Sequence, residues 1–395
     1  MQNQAQKSDA TDPFNTASRA AGARIESIQA CTVRVPLDVP TSFATRQVTA
    51  RDYALVRVRT DDGAEGIGFC YGGSRAGSLV THAVRELFAP MLVGEDPWRI
   101  EGLWQAMYNE ALLQGRAGAV IRALSIIDTA LWDRNARSVG LPLYKLLGGH
   151  ARDRVPAYAS GGYYLDGKTP QMLGDEMARY AGMGFKAVKM KVGRLDPAGD
   201  QERVEAAREA IGPDVLLMLD ANNAWSDLPT ALRYMERFEP SDPYWIEEPF
   251  GPDDIDNHAR LAQCTHVPVA TGEIEVGRWR FKELMDKGGA IILQADAVVC
   301  GGITEFRKIA QTAASYGINM CPHWFHDLHV HLVASLQNGQ FVEFFADDQV
   351  LNFRNLIDTQ LEHDGEGNLL LPKGTGLGFR FDDAAVDKWS LDGWA

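Results

Sequence analysis

Three carboxylates in this chain each close a short apolar run: Leu217-Met218-Leu219-Asp220, Trp245-Ile246-Glu247 and Ala270-Thr271-Gly272-Glu273. A single acid in such a place is often no more than a helix N-cap, its side-chain oxygen accepting from a free backbone N–H. Three in succession carry more. Hard oxygen ligands that converge, with room left for water and substrate, suit Mg2+ rather than zinc. Upstream, Lys189-Met190-Lys191 sets two lysines at i and i+2, which share one face of a strand. On an exposed edge both are merely solvated. Facing an interior, a lysine is costly unless paired or put to use, and a neighbouring ammonium lowers its pKa toward that of a general base. Downstream, Asp296 and His323 form a candidate dyad in which the carboxylate fixes the imidazole tautomer and raises its basicity. Glu343, between Val342 and Phe344, would hold a proton or meet a cation if buried. Together these types could move a proton beside a divalent cation.

Such residues need a scaffold that brings strand ends together. After Gly149, β-branched or apolar runs recur at Val155–Tyr158, Ala187–Val192, Val215–Leu219, Tyr244–Ile246, Val267–Ala270, Ile291–Leu293, Ile318–Cys321 and Phe341–Phe345. Amphipathic stretches such as Asp200–Ile211 and Thr230–Phe238 lie between them. This is βα repetition, and eight strands predict a TIM-type (β/α)7β barrel, with chemistry at the C-terminal strand ends. An open doubly wound sheet fits less well, because no Gly-x-Gly-x-x-Gly follows a first strand. Ahead of the barrel, Ile28–Val35, Tyr53–Arg59 and Glu65–Cys70 read as an antiparallel meander, and Ser78–Leu147 turns to helical period. The expected organisation is a flexible tail over residues 1–24, an α+β capping domain over 25–148, the barrel over 149–365, and a C-terminal segment over 366–395 that packs back on the cap.

Composition narrows the partners. A formal charge of −14 over 395 residues disfavours nucleic acid and anionic membranes, and an anionic metabolite then needs a local cation or arginine cluster. Five scattered cysteines without CxxC spacing argue against disulfides and zinc and for a reducing compartment. With no apolar run of spanning length and no signal-like start, the expected location is the cytoplasm.

The same residues resemble those of the enolase superfamily, specifically its mandelate racemase subgroup. The resemblance covers almost the whole chain beyond the tail and includes Ile127-Asp128-Thr129-Ala130-Leu131-Trp132-Asp133 and the run from Gly140 through Gly149. It implies Asp220, Glu247 and Glu273 as Mg2+ ligands, Lys191 as base on one substrate face, and Lys189 beside it on the substrate carboxylate. His323 with Asp296 would serve the opposite face, protonated Glu343 would hydrogen-bond the other carboxylate oxygen, and Asn222 would support the site. The branches with a lysine at the sixth strand are set aside, since Ile291 to Gly302 contains none. Thr375 stands where the family commonly has proline. Homo-oligomers are common among such proteins and are expected here.

The implied reaction is removal of the proton next to a carboxylate. Its conjugate base, an enediolate, carries two charged oxygens and needs electrostatic help where that charge develops. Bases on both faces allow racemisation, or elimination of a hydroxyl to give a 2-keto-3-deoxy acid. Two polar cap loops, Pro40–Arg46 and Tyr71–Arg75, favour a sugar acid whose oxygens meet Arg46 or Arg75. A non-catalytic barrel that binds a metabolite is the reading of another class, yet none of the costly polar groups is missing. His326, His329 and His331 are interleaved with apolar residues and read as a helix after strand seven, not as ligands. Alternation aims Glu248 away from the site toward a salt bridge, and Cys321 reads as inert core. Trp225 and Trp324 could pack or shape the pocket.

Overall fold

The computed structural model describes residues 22–149, 153–347 and 351–395; the tail expected over 1–24 falls outside them as far as residue 21. The cap begins with three antiparallel strands, β1 (Ile25–Phe43), β2 (Arg46–Thr60) and β3 (Glu65–Tyr71). The first two outrun the alternating segments that announced them. Between Pro36 and Thr41 the register of β1 on β2 shifts, and pairing then resumes to a tight end at Phe43 opposite Arg46. Pro36 and Pro40 have no N–H to give the ladder, so alternation is interrupted there while the strand continues. The stretch Pro40–Arg46 is therefore the tip of a hairpin rather than a free loop.

This sheet lies against the long helix Ala119–Ser138. Two buried acids on that helix are structural anchors. Asp128 accepts from the Thr304 amide at 2.9 Å and hydroxyl at 2.6 Å, which ties cap to barrel. Asp133 accepts from the amides of Ile67 at 2.9 Å and Leu377 at 2.7 Å. Burial, opposed by the Thr304 bonds, pushes Asp128 up to about 7. Trp104 adds an indole bond to the Gly301 carbonyl at 2.7 Å.

The barrel strands are β4 (Arg154–Ser160), β5 (Ala187–Lys191), β6 (Leu216–Asp220), β7 (Pro243–Glu247), β8 (Val269–Thr271), β9 (Ile292–Leu293), β10 (Asn319–Met320) and β11 (Val342–Phe344). They pair in parallel in the order β10-β9-β8-β7-β6-β5-β4-β11. The ring closes through Met320, whose amide bonds the Asn338 carbonyl and whose carbonyl accepts from Gln340. A short antiparallel strand, β12 (Asn368–Leu370), covers β4. Helices between the strands start on deliberate caps: Asp196 accepts from Gly199 N ahead of Pro197–Ile211, and Asp227 from Thr230 N ahead of Leu228–Phe238. Each cap contributes about 1 kcal/mol. Beyond β12 the chain returns to the cap, where Asp392 accepts from the Thr32 amide at 2.7 Å and Ala395 pairs with Ala30.

The strand period of two explains the layering inside the ring. Ala187, Met218, Trp245, Ile292 and Cys321, with Tyr158 and Ala270, fill the lumen as one apolar cluster. Two residues further along, the same inward face presents Lys189, Asp220, Glu247, Gln294 and His323. The polar site thus sits directly on an apolar plug.

Candidate active site

Register places the polar layer. Lys191 pairs with Asp220 across β5 and β6, and Asp220 with Glu247 across β6 and β7. Glu273 follows β8. Oxygens of Asp220, Glu247 and Glu273 all lie within 4.8 Å of one another. Two of these acids are fully buried. Burial and the charge of Asp220 push Glu247 up to about 8 despite Lys189, whereas Lys191 and Lys189 outweigh burial at Asp220 and lower it. Crowded carboxylates on an apolar base, one of them pushed toward its neutral form by its neighbours, are a donor set that a hard divalent cation would relieve.

Asn222 braces this group. Its amide donates to Asp220 Oδ1 at 2.8 Å and its side chain to Oδ2 at 3.3 Å, from a left-handed backbone at φ 45°. The lysines sit below and beside the acids. Lys189 is wholly buried, with Nζ 2.8 Å from Glu247 Oε1 and 2.6 Å from Glu343 Oε1. Lys191 Nζ bonds Asp220. Burial lowers both lysines, but the acids outweigh it and both end raised. The expected depression of the base by a neighbouring ammonium is therefore reversed, because each ammonium is closer to a carboxylate than spacing along the strand reveals.

Glu343 also departs from expectation. Burial raises it, but Lys189 and then His323 prevail and hold it near 2, so it is ionised rather than protonated. Its Oε2 accepts from the Trp324 amide at 2.7 Å. His323 follows β10 and donates from Nδ1 to Asp296 Oδ2 at 3.1 Å, while Nε2 lies 3.5 Å from Glu273 Oε2. Burial lowers the ring, but Glu273 and the Asp296 bond raise it to about 9. Asp296 is itself fixed as the N-cap of the helix Ala297–Cys300.

One cavity of about 250 Å³ joins these groups. Lys191, Asn222, Glu273, Asp296, His323 and Glu343 line it, and the cap supplies Phe43, Arg46, Arg51, Tyr71 and Arg122. Arg75 is exposed and not among the lining residues, so only Arg46 of the two expected arginines reaches the pocket. Arg51 and Arg122 were not singled out from sequence. Arg51 stacks over Trp324 at 4.7 Å, and Arg122 donates to the Tyr71 carbonyl at 2.9 Å. Arg122 sits among apolar neighbours and Arg51 beside Asp52 on cap elements, and neither setting says which cavity the arginine faces.

Glu248 is a second correction. It too lines the pocket, is 2% exposed, and accepts from Asn223 Nδ2 at 3.0 Å, with no salt bridge among the described residues. Its φ of 43° ends the strand at Glu247, so alternation no longer governs where it points. Burial and the Glu273 charge raise it well above the carboxylate range. Trp324 lines the pocket while Trp225 packs in the outer core. The three histidines do lie on a buried helix, His326–Ser335, and Cys321 is core, pushed up to about 12 by burial.

A capped eight-stranded barrel with clustered acids at three successive strand ends, a lysine pair and a His–Asp pair defines the enolase-superfamily architecture. Residues 25–148 match the mandelate racemase / muconate lactonizing enzyme N-terminal domain, and residues 172–385 match the enolase C-terminal domain-like model. The chain belongs to this family, in the mandelate racemase subgroup of the enolase superfamily. Among curated relatives, L-talarate/galactarate dehydratase of Salmonella typhimurium is 36% identical over 94% of this chain and 92% of its own length. Arabinonate dehydratase of Saccharolobus solfataricus is 37% identical over 86% and 90%. Among solved structures, L-talarate dehydratase from Polaromonas sp., complexed with Mg and L-glucarate, superposes with a TM-score of 0.83 at 35% identity, covering 95% of this chain and 99% of that one. No helix among the described residues is long and apolar enough to cross a membrane.

Proposed function

We infer that this enzyme is a hydro-lyase that dehydrates a sugar acid, an aldonate or aldarate, to a 2-keto-3-deoxy acid with Mg2+ as cofactor. One observation carries the reading: a single cavity is lined at once by Lys191, His323 and Glu273, with Arg46, Arg51 and Arg122 on its cap side. The relatives support it, since talarate, galactarate and arabinonate are all sugar acids and the Polaromonas enzyme was crystallised with Mg and L-glucarate.

Asp220, Glu247 and Glu273 would hold the cation, which when bound concentrates positive charge on a substrate carboxylate oxygen and relieves the acids' mutual repulsion. Lys189, fixed between Glu247 and Glu343, contributes a further ammonium to the charge that grows as the α-proton leaves. Lys191 borders the cavity from β5 and His323 from the end of β10, so a substrate seated between them meets one group on each face. Lys191 owes its rise chiefly to Asp220, and with that carboxylate taken up by the cation Lys191 can shed its proton and accept the α-proton. Despite burial, Glu273 and the Asp296 bond raise the His323 ring and favour imidazolium, the form that protonates a departing hydroxyl. With Glu273 engaged by the cation, Asp296 and Glu343 remain to raise it. Loss of water leaves an enol, which tautomerises to the 2-keto acid. The arginines suit the hydroxyl and carboxylate oxygens along the rest of the chain.

Incubating the purified protein with Mg2+ and a panel of aldonates and aldarates, and assaying 2-keto acid, tests this directly. Keto acid from at least one member is the expected result. Inversion or α-deuterium exchange without keto acid would make the enzyme a racemase or epimerase. Binding without exchange would make it a non-catalytic barrel.

A further inference from the structure

Behind the Lys191 face lies a buried polar cluster that the reaction above does not use. Asp200 and Arg203, on the helix Pro197–Ile211, are 0% and 3% exposed. Arg203 Nη2 donates to the Lys191 carbonyl at 3.2 Å and to the Gly162 carbonyl at 2.9 Å. Asp200 Oδ2 accepts from the Gly193 amide at 2.7 Å, two residues beyond Lys191, and Oδ1 accepts from the Tyr164 hydroxyl at 2.6 Å. The guanidinium of Arg203 stacks on the Tyr164 ring at 4.0 Å. Tyr164 in turn donates its amide to the Ser42 carbonyl at 2.9 Å, and Ser42 precedes Phe43, which lines the cavity from the cap hairpin. The loop carrying Gly162 runs so close over β5 that a Cβ on Gly162 would lie 2.5 Å from that of Met190, so this backbone has no slack.

These contacts form one continuous path: hairpin tip, Tyr164, the Asp200–Arg203 pair, and the backbone on the far side of Lys191. The buried charges are expensive to keep, and what they bond is the peptide frame that aims the lysine. We propose that Arg203, Asp200 and Tyr164 are positioning residues that fix the Lys191 backbone and make it depend on the seating of the cap hairpin. The His323 face hangs on β10 and the Ala297–Cys300 helix, and among the described residues it has no bond to this cluster. Misplacing a reacting group by about 1 Å costs about a hundredfold in rate, so loosening this frame should act on one face of the site only.

The inference rests on the proposed two-faced proton transfer, and the test separates the two. L-talarate has the same configuration at both of its α-carbons and D-talarate the opposite one at both, so whichever end binds, the α-protons of the two acids point to opposite faces. Exchange of each into D2O, followed by NMR with Mg2+ present, reports Lys191 and His323 separately. Tyr164→Phe keeps the ring stack and the amide bond to Ser42 and removes the hydroxyl's bond to Asp200 together with the weaker one it accepts from the Arg194 amide at 3.3 Å. It should lower exchange on the Lys191 face about tenfold with KM unchanged, while the His323 face changes less than about twofold. Arg203→Lys should fall between wild type and Arg203→Met on the same face. Retained His323-face exchange is the internal check on folding. Equal losses on both faces, or no loss on either, overturn the positioning role while leaving the proposed reaction intact. Wild-type protein that neither exchanges nor forms 2-keto acid from either acid, or from any other in the panel, refutes the reaction and this inference with it.

Discussion

Replacing His331 with glutamine removes one titrating ring from the seam between barrel and cap. The ring is fully buried, accepts at Nδ1 from the Tyr144 amide at 3.2 Å, and donates from Nε2 to the Leu377 carbonyl at 3.1 Å. Only neutral imidazole can do both. Burial, weakly opposed by the Leu377 bond, lowers the ring from 6.5 to about 4. A base whose folded pKa lies below its unfolded value stabilises fully above about pH 6.5 and loses that contribution as pH falls toward 4. The whole gap is worth about 3 kcal/mol, and about 2 kcal/mol of it is gone by about pH 5. Glutamine is uncharged throughout and matches the outer nitrogen with its amide. At about pH 7.5 the variant should lose about 1 kcal/mol from the Tyr144 bond. Between about pH 7.5 and pH 5, wild type should lose about 2 kcal/mol more than His331→Gln, by equilibrium urea unfolding followed by near-UV circular dichroism. Parallel stability losses in the two proteins would refute the assignment of a buried, neutral His331.

Glu247→Gln removes one carboxylate of the clustered three and should abolish Mg2+ binding by calorimetry and lower turnover at least about a thousandfold. Arg122→Met leaves the acid–base groups in place and should raise KM about tenfold with a smaller change in kcat, provided the arginine meets substrate oxygens. Trp104→Phe deletes the 2.7 Å bond to the Gly301 carbonyl, and urea unfolding should show about 1 kcal/mol lost, with the orphaned carbonyl adding to it if water does not reach it.

Much of the ring was legible because strands are short and apolar and their ends are polar. Asp220, Glu247 and Lys191 could be placed on one inward face from the period of two alone, and the β5–β6–β7 register brings them level. The helix bearing His326, His329 and His331 was equally plain from its interleaved apolar residues. What stayed hidden depended on distances between strands or on a single backbone angle. Glu248 turned into the pocket because one residue took φ 43°, and no periodicity encodes that. Lys189 is raised and Glu343 is ionised because ammonium and carboxylate meet across the lumen at 2.6 Å, a separation set by three strands at once. Arg51 and Arg122 belong to a cap strand and a cap helix, and their common cavity appears only once those elements are laid over the barrel mouth.

The apolar plug beneath the polar layer makes the catalytic chamber a blind alley. With Trp245, Met218 and Tyr158 filling the lumen, the barrel's own axis offers no passage, and whatever enters past the cap must leave by the same door. Traffic and selection then fall to residues 43–122, whereas proton transfer falls to residues 189–343. Exchanging the gatekeepers could redirect the enzyme to a different acid while its proton-handling groups remain as they are.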